Sequence, residues 1–148
     1  MTQQPAIHPA ARQGFSSAAQ AYGKGRPDYP EALLDWLGQD LGLRPGDRAL
    51  DLGAGTGKFT RLPMLTGAFV SAVEPVDEMR AQLAARYPAV FCAKGTAERI
   101  PLVDGAMDVV LCAQAFHWFA NDAALREIQR VLRPGGWLGL VWNVRDES

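Results

Sequence analysis

Short apolar segments alternate with helical patterns along most of the chain. Five of these segments predict β-strands, at residues 48–52, 69–74, 89–93, 108–113 and 137–143. None of them alternates strictly between apolar and polar positions, so we expect both faces of the sheet to be covered, as in a parallel sheet. Strands and helices that succeed one another in this way are typical of an α/β fold with right-handed crossovers.

Apolar residues recur at helical spacing between the predicted strands. The three clearest helical patterns are marked by Leu33, Leu34, Leu37 and Leu41, by Met79, Leu83 and Ala84, and by Leu125, Ile128, Val131 and Leu132. The last of these helices should begin at Asn121 or Asp122, which are suitable N-caps, and stop at the Pro-Gly-Gly of residues 134–136. Pro63 falls where the helix after the first strand should run. Because proline removes a backbone donor, we expect that helix to be short or kinked.

Residues 1–30 differ from the rest of the chain because they are polar and alanine-rich without a strong period. We expect a short helix near residues 12–22 and a loop after it, marked by glycine and proline. The sequence thus predicts an N-terminal segment of helix and loop at residues 1–30, and one core domain at residues 31–148.

Composition and charge exclude several classes of function. The chain has 148 residues and a net charge of −1, so it lacks the basic surface expected for binding nucleic acid or an anionic membrane. No apolar stretch is long enough to span a bilayer and the N-terminus lacks the pattern of a signal peptide, so we expect a cytoplasmic protein. Cys92 and Cys112 lie in apolar segments, where we expect both to be buried and neither to bind a metal ion.

A glycine-rich loop follows the first predicted strand, at the place where open α/β sheets bind their ligands. Gly53, Gly55 and Gly57 have the spacing G-x-G-x-G, and glycine lets the backbone take positive φ and lets a ligand approach closely. Asp51, two residues before the first glycine, would repel a pyrophosphate but favours a ligand that carries positive charge. Glu74 ends the second predicted strand and can accept hydrogen bonds from both hydroxyls of a ribose.

Three interpretations of this loop are open at this point. The loop could be a tight connection that binds no ligand. It could also be the dinucleotide site of an NAD-dependent oxidoreductase, or a site for S-adenosylmethionine (SAM). Glu74 does not distinguish between NAD and SAM, because both ligands contain a ribose. The glycine spacing differs from the G-x-G-x-x-G of dinucleotide-binding proteins. Together with Asp51, it favours SAM, which carries a sulfonium and an α-ammonium group.

Several segments together resemble the class I SAM-dependent methyltransferases, and within them the methyltransferase type 11 group that includes the trans-aconitate methyltransferase-like proteins. The segments that carry the resemblance are residues 49–58, 72–75, 95–98, 108–119 and 131–136, with Tyr22, 26–27 and 29–30 near the N-terminus. It is the combination and order of these segments, rather than any one of them, that is specific to the family.

The resemblance implies a Rossmann-like parallel sheet of strand order 3-2-1-4-5 with helices on both faces, and it implies SAM as the cofactor. The residues that it places around SAM are Asp51, Gly53, Ala54, Gly55, Gly57, Glu74, Pro75, Met79, Thr96, Ala97, Glu98, Gln114, Tyr22 and Arg26. In the family pattern Met79 packs near the adenine and Glu98 hydrogen-bonds its amine, although Glu98 is alternatively a solvated acid on a turn. Tyr22 and Arg26 contact the methionine carboxylate or, equally, anchor the loop.

The resemblance places Phe116, His117 and Trp118 at the mouth of the site, where the methyl donor meets a small-molecule acceptor. His117 is a candidate general base or orienting residue, with a histidine held by a backbone carbonyl as the alternative. The two aromatic residues line an acceptor pocket or belong to the core. An acceptor that is already ionised needs no base, and catalysis would then rest on proximity and in-line orientation.

The chain departs from this family after its fifth predicted strand. The family fold has seven strands, and strands six and seven, which help to close the acceptor site, have no counterpart here. We therefore expect a truncated chain with an exposed apolar edge, from Trp137 to Trp142, that pairs with a second copy in a homodimer. The sequence predicts a SAM-dependent methyltransferase domain acting on a small molecule. The alternative is a catalytically incomplete module that binds SAM or S-adenosylhomocysteine (SAH) or serves as an interaction surface.

Overall fold

Five parallel strands form one sheet in the computed structural model, which describes residues 29–113 and 121–141. The strands are β1 (Arg48–Leu52), β2 (Phe69–Val73), β3 (Phe91–Ala93), β4 (Met107–Ala113) and β5 (Leu132–Val141). Their order across the sheet is β3-β2-β1-β4-β5, and every neighbouring pair is parallel. The order predicted from the family resemblance is therefore confirmed.

One helix precedes β1, and the other three follow β1, β2 and β4. They are α1 (Ala32–Asp35), α2 (Arg61–Leu65), α3 (Asp77–Arg86) and α4 (Asp122–Val131), and α1 continues directly into a π-helical turn at Trp36–Asp40. In that turn the Leu41 N–H donates to the Trp36 carbonyl at 3.1 Å, the wider hydrogen-bond spacing of a π-helix. The single helix predicted from the leucines is therefore present, but its second half has a different winding.

Both faces of the sheet are covered, because successive residues of a strand point to opposite sides. Ala49 of β1 packs in one cluster with Leu33 and Leu37, from α1 and the π-helical turn. The next residue, Leu50, packs in a second cluster with Ile128 of α4. This arrangement explains why the strands read as continuous apolar segments.

Helix ends follow the local signals at two positions. The Asn121 side chain accepts a hydrogen bond from the Ala124 N–H, which confirms Asn121 as the cap of α4. Pro63 lies inside α2, which is only five residues long, so the prediction of a short helix is confirmed.

The start of the fifth strand was predicted too late. Its pairing with β4 begins at Leu132, opposite Met107, and resumes at Trp137, opposite Val109. Residues 134–136 therefore form an irregularity within the strand rather than a separate stop, and α4 already ends at Val131. The sequence pattern missed this because the residues between the two paired parts of the strand include Pro134, Gly135 and Gly136, which are not typical of a strand.

Three smaller predictions also differ from the structure. The second strand ends at Val73 instead of residue 74, and the third begins at Phe91 instead of residue 89. Cys112 is buried as expected, whereas Cys92 is only half-buried because β3 is the last strand at one end of the sheet.

Asp108 joins the amino ends of β1 and β4, at the opposite edge of the sheet from the glycine loop. Its carboxylate accepts the Arg48 backbone N–H at 2.7 Å and pairs with the side chains of Arg48 and Arg133. Partial burial opposes ionisation, but the hydrogen bonds from Arg48 and Arg133 prevail and lower the pKa of Asp108 to about 2. This ionised carboxylate therefore has a structural role.

Some predictions lie outside the described residues. They concern the segment 1–28, residues 114–120, and the end of the chain from Trp142 onward. Across the ranges 29–113 and 121–141, none of the helices has the length and apolar character needed to cross a membrane.

Gly139 of β5 packs against residues that follow α1 and against β4. A Cβ at this position would lie 2.7 Å from Leu41, 2.9 Å from Leu111 and 3.1 Å from Trp36, all of which are buried. We expect Gly139→Ala to lower the free energy of unfolding by about 1–3 kcal/mol through overpacking.

Gly38→Ala is the matched control in the same region. A Cβ on Gly38 meets nothing within 4 Å, so alanine should stabilise the helical turn by about 0.5–1 kcal/mol. Urea denaturation of both variants measures the two effects, and changes of the same sign would contradict this account of the packing.

Candidate cofactor-binding site

The glycine loop after β1 is held against the end of β2. The N–H groups of Gly53 and Ala54 both donate to the Val73 carbonyl, at 2.8 and 3.2 Å. Gly53, Gly55 and Gly57 have φ values of 72°, 61° and 96°, in the left-handed region that side chains disfavour. The three glycines are therefore needed for the path of the backbone, as the sequence predicted.

Glu74 joins this loop to the turn before α3. Its buried carboxylate accepts the Gly55 N–H on Oε1 at 2.8 Å and the Val76 N–H on Oε2 at 2.9 Å. Each carboxylate oxygen has a second lone pair, so these bonds leave acceptor capacity for the hydroxyls of a ligand. Glu74 thus holds the glycine loop in place, and its carboxylate oxygens can still accept hydrogen bonds from a ligand.

Asp51 is buried at the carboxyl end of β1, with 1% of its surface exposed. Its Oδ2 accepts the Thr60 hydroxyl at 2.6 Å, whereas its Oδ1 has no hydrogen-bond partner within the described part of the chain. Burial first, and the nearby Glu74 to a lesser extent, raise the pKa of Asp51 to about 7, although the Thr60 hydrogen bond lowers it. The negative charge of the ionised carboxylate is therefore stabilised by one hydrogen bond only, among the described residues.

Met79 and Pro75 flank the loop on the α3 side. The Met79 sulfur lies 4.0 Å from where a Cβ of Gly55 would stand, and Met79 is 42% exposed. Pro75 is also exposed. An exposed thioether beside the glycine loop provides an apolar surface on which a flat ring can pack.

The segment 96–98 follows β3 at the same edge of the sheet. Ala97 is buried in the core, whereas Thr96 and Glu98 are exposed. The Glu98 Oε2 accepts a hydrogen bond from the Asn121 Nδ2 at 2.9 Å. Asn121 was predicted only as a helix cap, so this second role was missed.

A polar network holds the chain just beyond this segment. Glu127 accepts the Ile100 N–H at 2.8 Å, and Arg130 donates to the carbonyls of Ile100 and Leu102 at 2.8 and 2.9 Å. Arg130 also pairs with Glu127 and with Asp104. The sequence showed two charged residues at i,i+3 on α4, which is a common surface pattern and gave no indication of this role.

Thr60 is a further residue at this edge of the sheet that the sequence pattern did not indicate. It is completely buried and lies directly before α2. Its only sequence signal was a hydroxyl between Phe59 and Leu62, two apolar residues that are also buried.

The structure brings most of the predicted cofactor residues to one edge of the sheet. Hydrogen bonds connect the glycine loop, Glu74 and the end of β2, and the Glu74 N–H donates in turn to Ala93 at the end of β3. The predicted residues Tyr22, Arg26, Gln114, Phe116, His117 and Trp118 lie outside the described residues. Within the described ranges no group of three or more His, Cys, Asp or Glu is placed to hold a metal ion.

Comparisons with known proteins agree in the kind of protein they find. An uncharacterized methyltransferase of Mycobacterium bovis is 51% identical over 133 residues, which are 90% of this chain and 53% of that protein. The malonyl-acyl-carrier-protein O-methyltransferase of Serratia marcescens is 35% identical over 132 residues, covering 86% of this chain and 50% of that protein.

A solved structure gives the same result for the fold. The SAM-dependent methyltransferase of Aquifex aeolicus is 25% identical, with a TM-score of 0.69 over 82% of this chain and 73% of that one. The chain spans about half the length of the curated relatives it matches. The family model described as a methyltransferase domain matches residues 50–140, from the middle of β1 to the penultimate residue of β5. The chain therefore belongs to this methyltransferase family.

Proposed function

We propose that this chain binds SAM at the glycine loop and supplies the cofactor-binding part of an enzyme that methylates a small molecule. The observation that carries the proposal is the pair of buried carboxylates, Asp51 and Glu74, on either side of the loop. Burial first, and the nearby Glu74 to a lesser extent, disfavour the charged form of Asp51 and raise its pKa. A pyrophosphate would add further negative charge to this place, whereas the ammonium and sulfonium of SAM would offset it.

The remaining contacts are assigned from their geometry. Glu74 binds the ribose hydroxyls with the lone pairs that the backbone N–H groups leave unused. Met79 packs against the adenine, and the segment 96–98 lies along its polar edge, with Glu98 oriented by Asn121. By the family resemblance, Tyr22 and Arg26 would contact the methionine carboxylate, and Gln114 would also lie at the cofactor.

Methyl transfer at this site needs little covalent chemistry from the protein. A lone pair on an oxygen, nitrogen or carbon of the acceptor forms a bond to the methyl carbon. The carbon–sulfur bond breaks, and the sulfur keeps the electron pair as the neutral thioether of SAH. Orientation of the two reactants in line supplies most of the rate. Phe116 and Trp118 would line the acceptor pocket, and His117 would orient the acceptor or remove its proton.

The part of the relatives that this chain does not match bears on the complete reaction. Since the chain spans about half of their length, a second candidate function is a module that binds SAM or SAH without completing the transfer. Joining the chain to the part of the Mycobacterium bovis relative that it does not match separates the two. If the chimera methylates an acceptor and the chain does not, the chain is a binding module. If the chain methylates an acceptor by itself, it is an enzyme.

Calorimetry with SAH tests cofactor binding and the role of Glu74. We expect SAH to bind the chain, and Glu74→Gln to weaken binding about ten-fold or more because an amide cannot accept on both atoms. Glu78→Gln, which alters an exposed acid four residues further along, is the control and should bind normally. Failure of SAH to bind both the chain and the chimera, or tight binding of NAD, would refute the proposal.

The outer edge of β5 is the basis of a proposal about assembly. Within the described residues β5 ends the sheet on one side, and Trp137 is 38% exposed. We propose that a second copy pairs along this edge to form a homodimer. Light scattering over a range of concentrations should show dimers, and Trp137→Lys, which adds a charge to the edge, should shift them to monomers. A wild-type chain that stays monomeric at high concentration contradicts the pairing.

Asp51→Asn should separate stability from ligand binding. The pKa of Asp51 is about 7 in the folded chain and about 4 in an unfolded chain. The folded state therefore holds the extra proton between these values, and the wild type loses stability as the pH rises through this window. The asparagine variant lacks this titration. From about pH 5 to about pH 8, the unfolding temperature of the variant should therefore rise relative to that of wild type. At the higher pH, the variant should bind SAH more weakly than wild type does.

Asp40→Asn provides the comparison for this experiment, because Asp40 is exposed. It should leave the affinity for SAH unchanged. A difference between Asp51→Asn and wild type that is the same at both pH values would show that Asp51 does not titrate in this window.

A further inference from the structure

The Thr60 hydroxyl makes the one protein hydrogen bond to the Asp51 carboxylate among the described residues. The Thr60 Oγ1 lies 2.6 Å from the Asp51 Oδ2, and both residues are buried, with 0% and 1% of their surfaces exposed. A hydroxyl between the buried residues Phe59 and Leu62 is unfavourable unless it is paired. The carboxylate is that partner.

The other carboxylate oxygen is in an unusual position. The Asp51 Oδ1 is the one buried side-chain oxygen or nitrogen without a hydrogen-bond partner in the described part of the chain. Leaving a buried acceptor unpaired is costly, and more so when it is charged. Thr60 has a single O–H and has already donated it to Oδ2. A donor for Oδ1 must come from elsewhere.

We propose that Thr60 is a positioning residue, which holds Oδ2 of Asp51 so that Oδ1 is presented to the α-ammonium group of SAM and SAH. The proposal rests on the proposed function, because it takes SAM as the ligand. Fixing one oxygen limits rotation of the carboxylate before the ligand arrives, so less freedom is lost on binding.

No cation contributes to the pKa of Asp51 within the described residues. Glu74 approaches from the end of β2 and raises the pKa of Asp51. Cys112 on β4 and Cys92 on β3 are thiols whose own pKa values are raised, by burial first and also by the charge of Asp51, although Arg80 opposes this at Cys92. An ammonium at Oδ1 would supply both the missing donor and the missing positive charge.

Two ligands and two variants separate positioning from general loop stability. SAH carries the α-ammonium group, whereas 5′-methylthioadenosine has the same nucleoside and thioether without the amino acid. Thr60→Val removes the hydroxyl at nearly constant volume, and Thr60→Ser keeps it. We expect Thr60→Val to weaken SAH binding about ten-fold and to change 5′-methylthioadenosine binding by less than about two-fold. Thr60→Ser should bind both ligands like wild type.

The pH dependence of SAH binding gives a second readout. Because the Thr60 hydrogen bond lowers the pKa of Asp51, its loss should raise that pKa further. The pH below which SAH binding weakens should then be higher in Thr60→Val than in wild type or Thr60→Ser.

Three results would overturn the proposal. They are equal weakening of both ligands by Thr60→Val, unchanged SAH binding by that variant, and a Thr60→Ser variant as weak as Thr60→Val. Thermal unfolding of each variant without ligand shows whether it is folded. If wild type binds neither ligand, the proposed function fails as well. If wild type binds SAH and Thr60→Val is unaffected, only the positioning role fails.

Discussion

Parallel pairing on both sides of β1 is the constraint on which the site depends. Because β2 and β4 run in the same direction as β1, their carboxyl ends reach one edge of the sheet. Leu52 at the end of β1 lies opposite Val73 at the end of β2, so the following residue, Glu74, reaches the Gly55 N–H. An antiparallel neighbour would carry Glu74 to the other edge. The strand order therefore determines that the two acids meet at the loop.

The two acids are accommodated by different means. Glu74 receives a backbone N–H on each oxygen, and such bonds are as rigid as the strands that carry them. Asp51 receives a single hydroxyl and is more deeply buried, which explains why burial dominates its pKa. The less well stabilised carboxylate, Asp51, is thus the one that faces the positive charge of the proposed ligand. This agrees with the general finding that functional sites often lower the stability of the folded protein.

Much of the fold could be predicted because its signals are local. Continuous apolar segments indicated a doubly covered sheet, Pro63 indicated a short helix, and the G-x-G-x-G spacing indicated positive φ. The order of the strands came from family resemblance, since apolar pattern alone does not determine which strands become neighbours.

The features that escaped prediction depend on contacts between distant parts of the chain. Thr60 matters because it faces Asp51, and Arg130 matters because it reaches the carbonyls of Ile100 and Leu102. The early start of β5 depends on its register with β4. A threonine or an arginine has the same appearance in a sequence whether it faces solvent or a buried partner, so these roles required the three-dimensional structure.

Asn121 restricts how this sequence can change without loss of function. For the helix alone, asparagine and aspartate are about equally good caps, so exchange between them should be neutral. Here the Nδ2 of Asn121 also donates to Glu98, and an aspartate would place a second carboxylate against it. The cap of α4 and the proposed adenine side of the site therefore depend on the same amide group. Homologues that use Glu98 in this way should retain asparagine where helix capping alone would allow either residue.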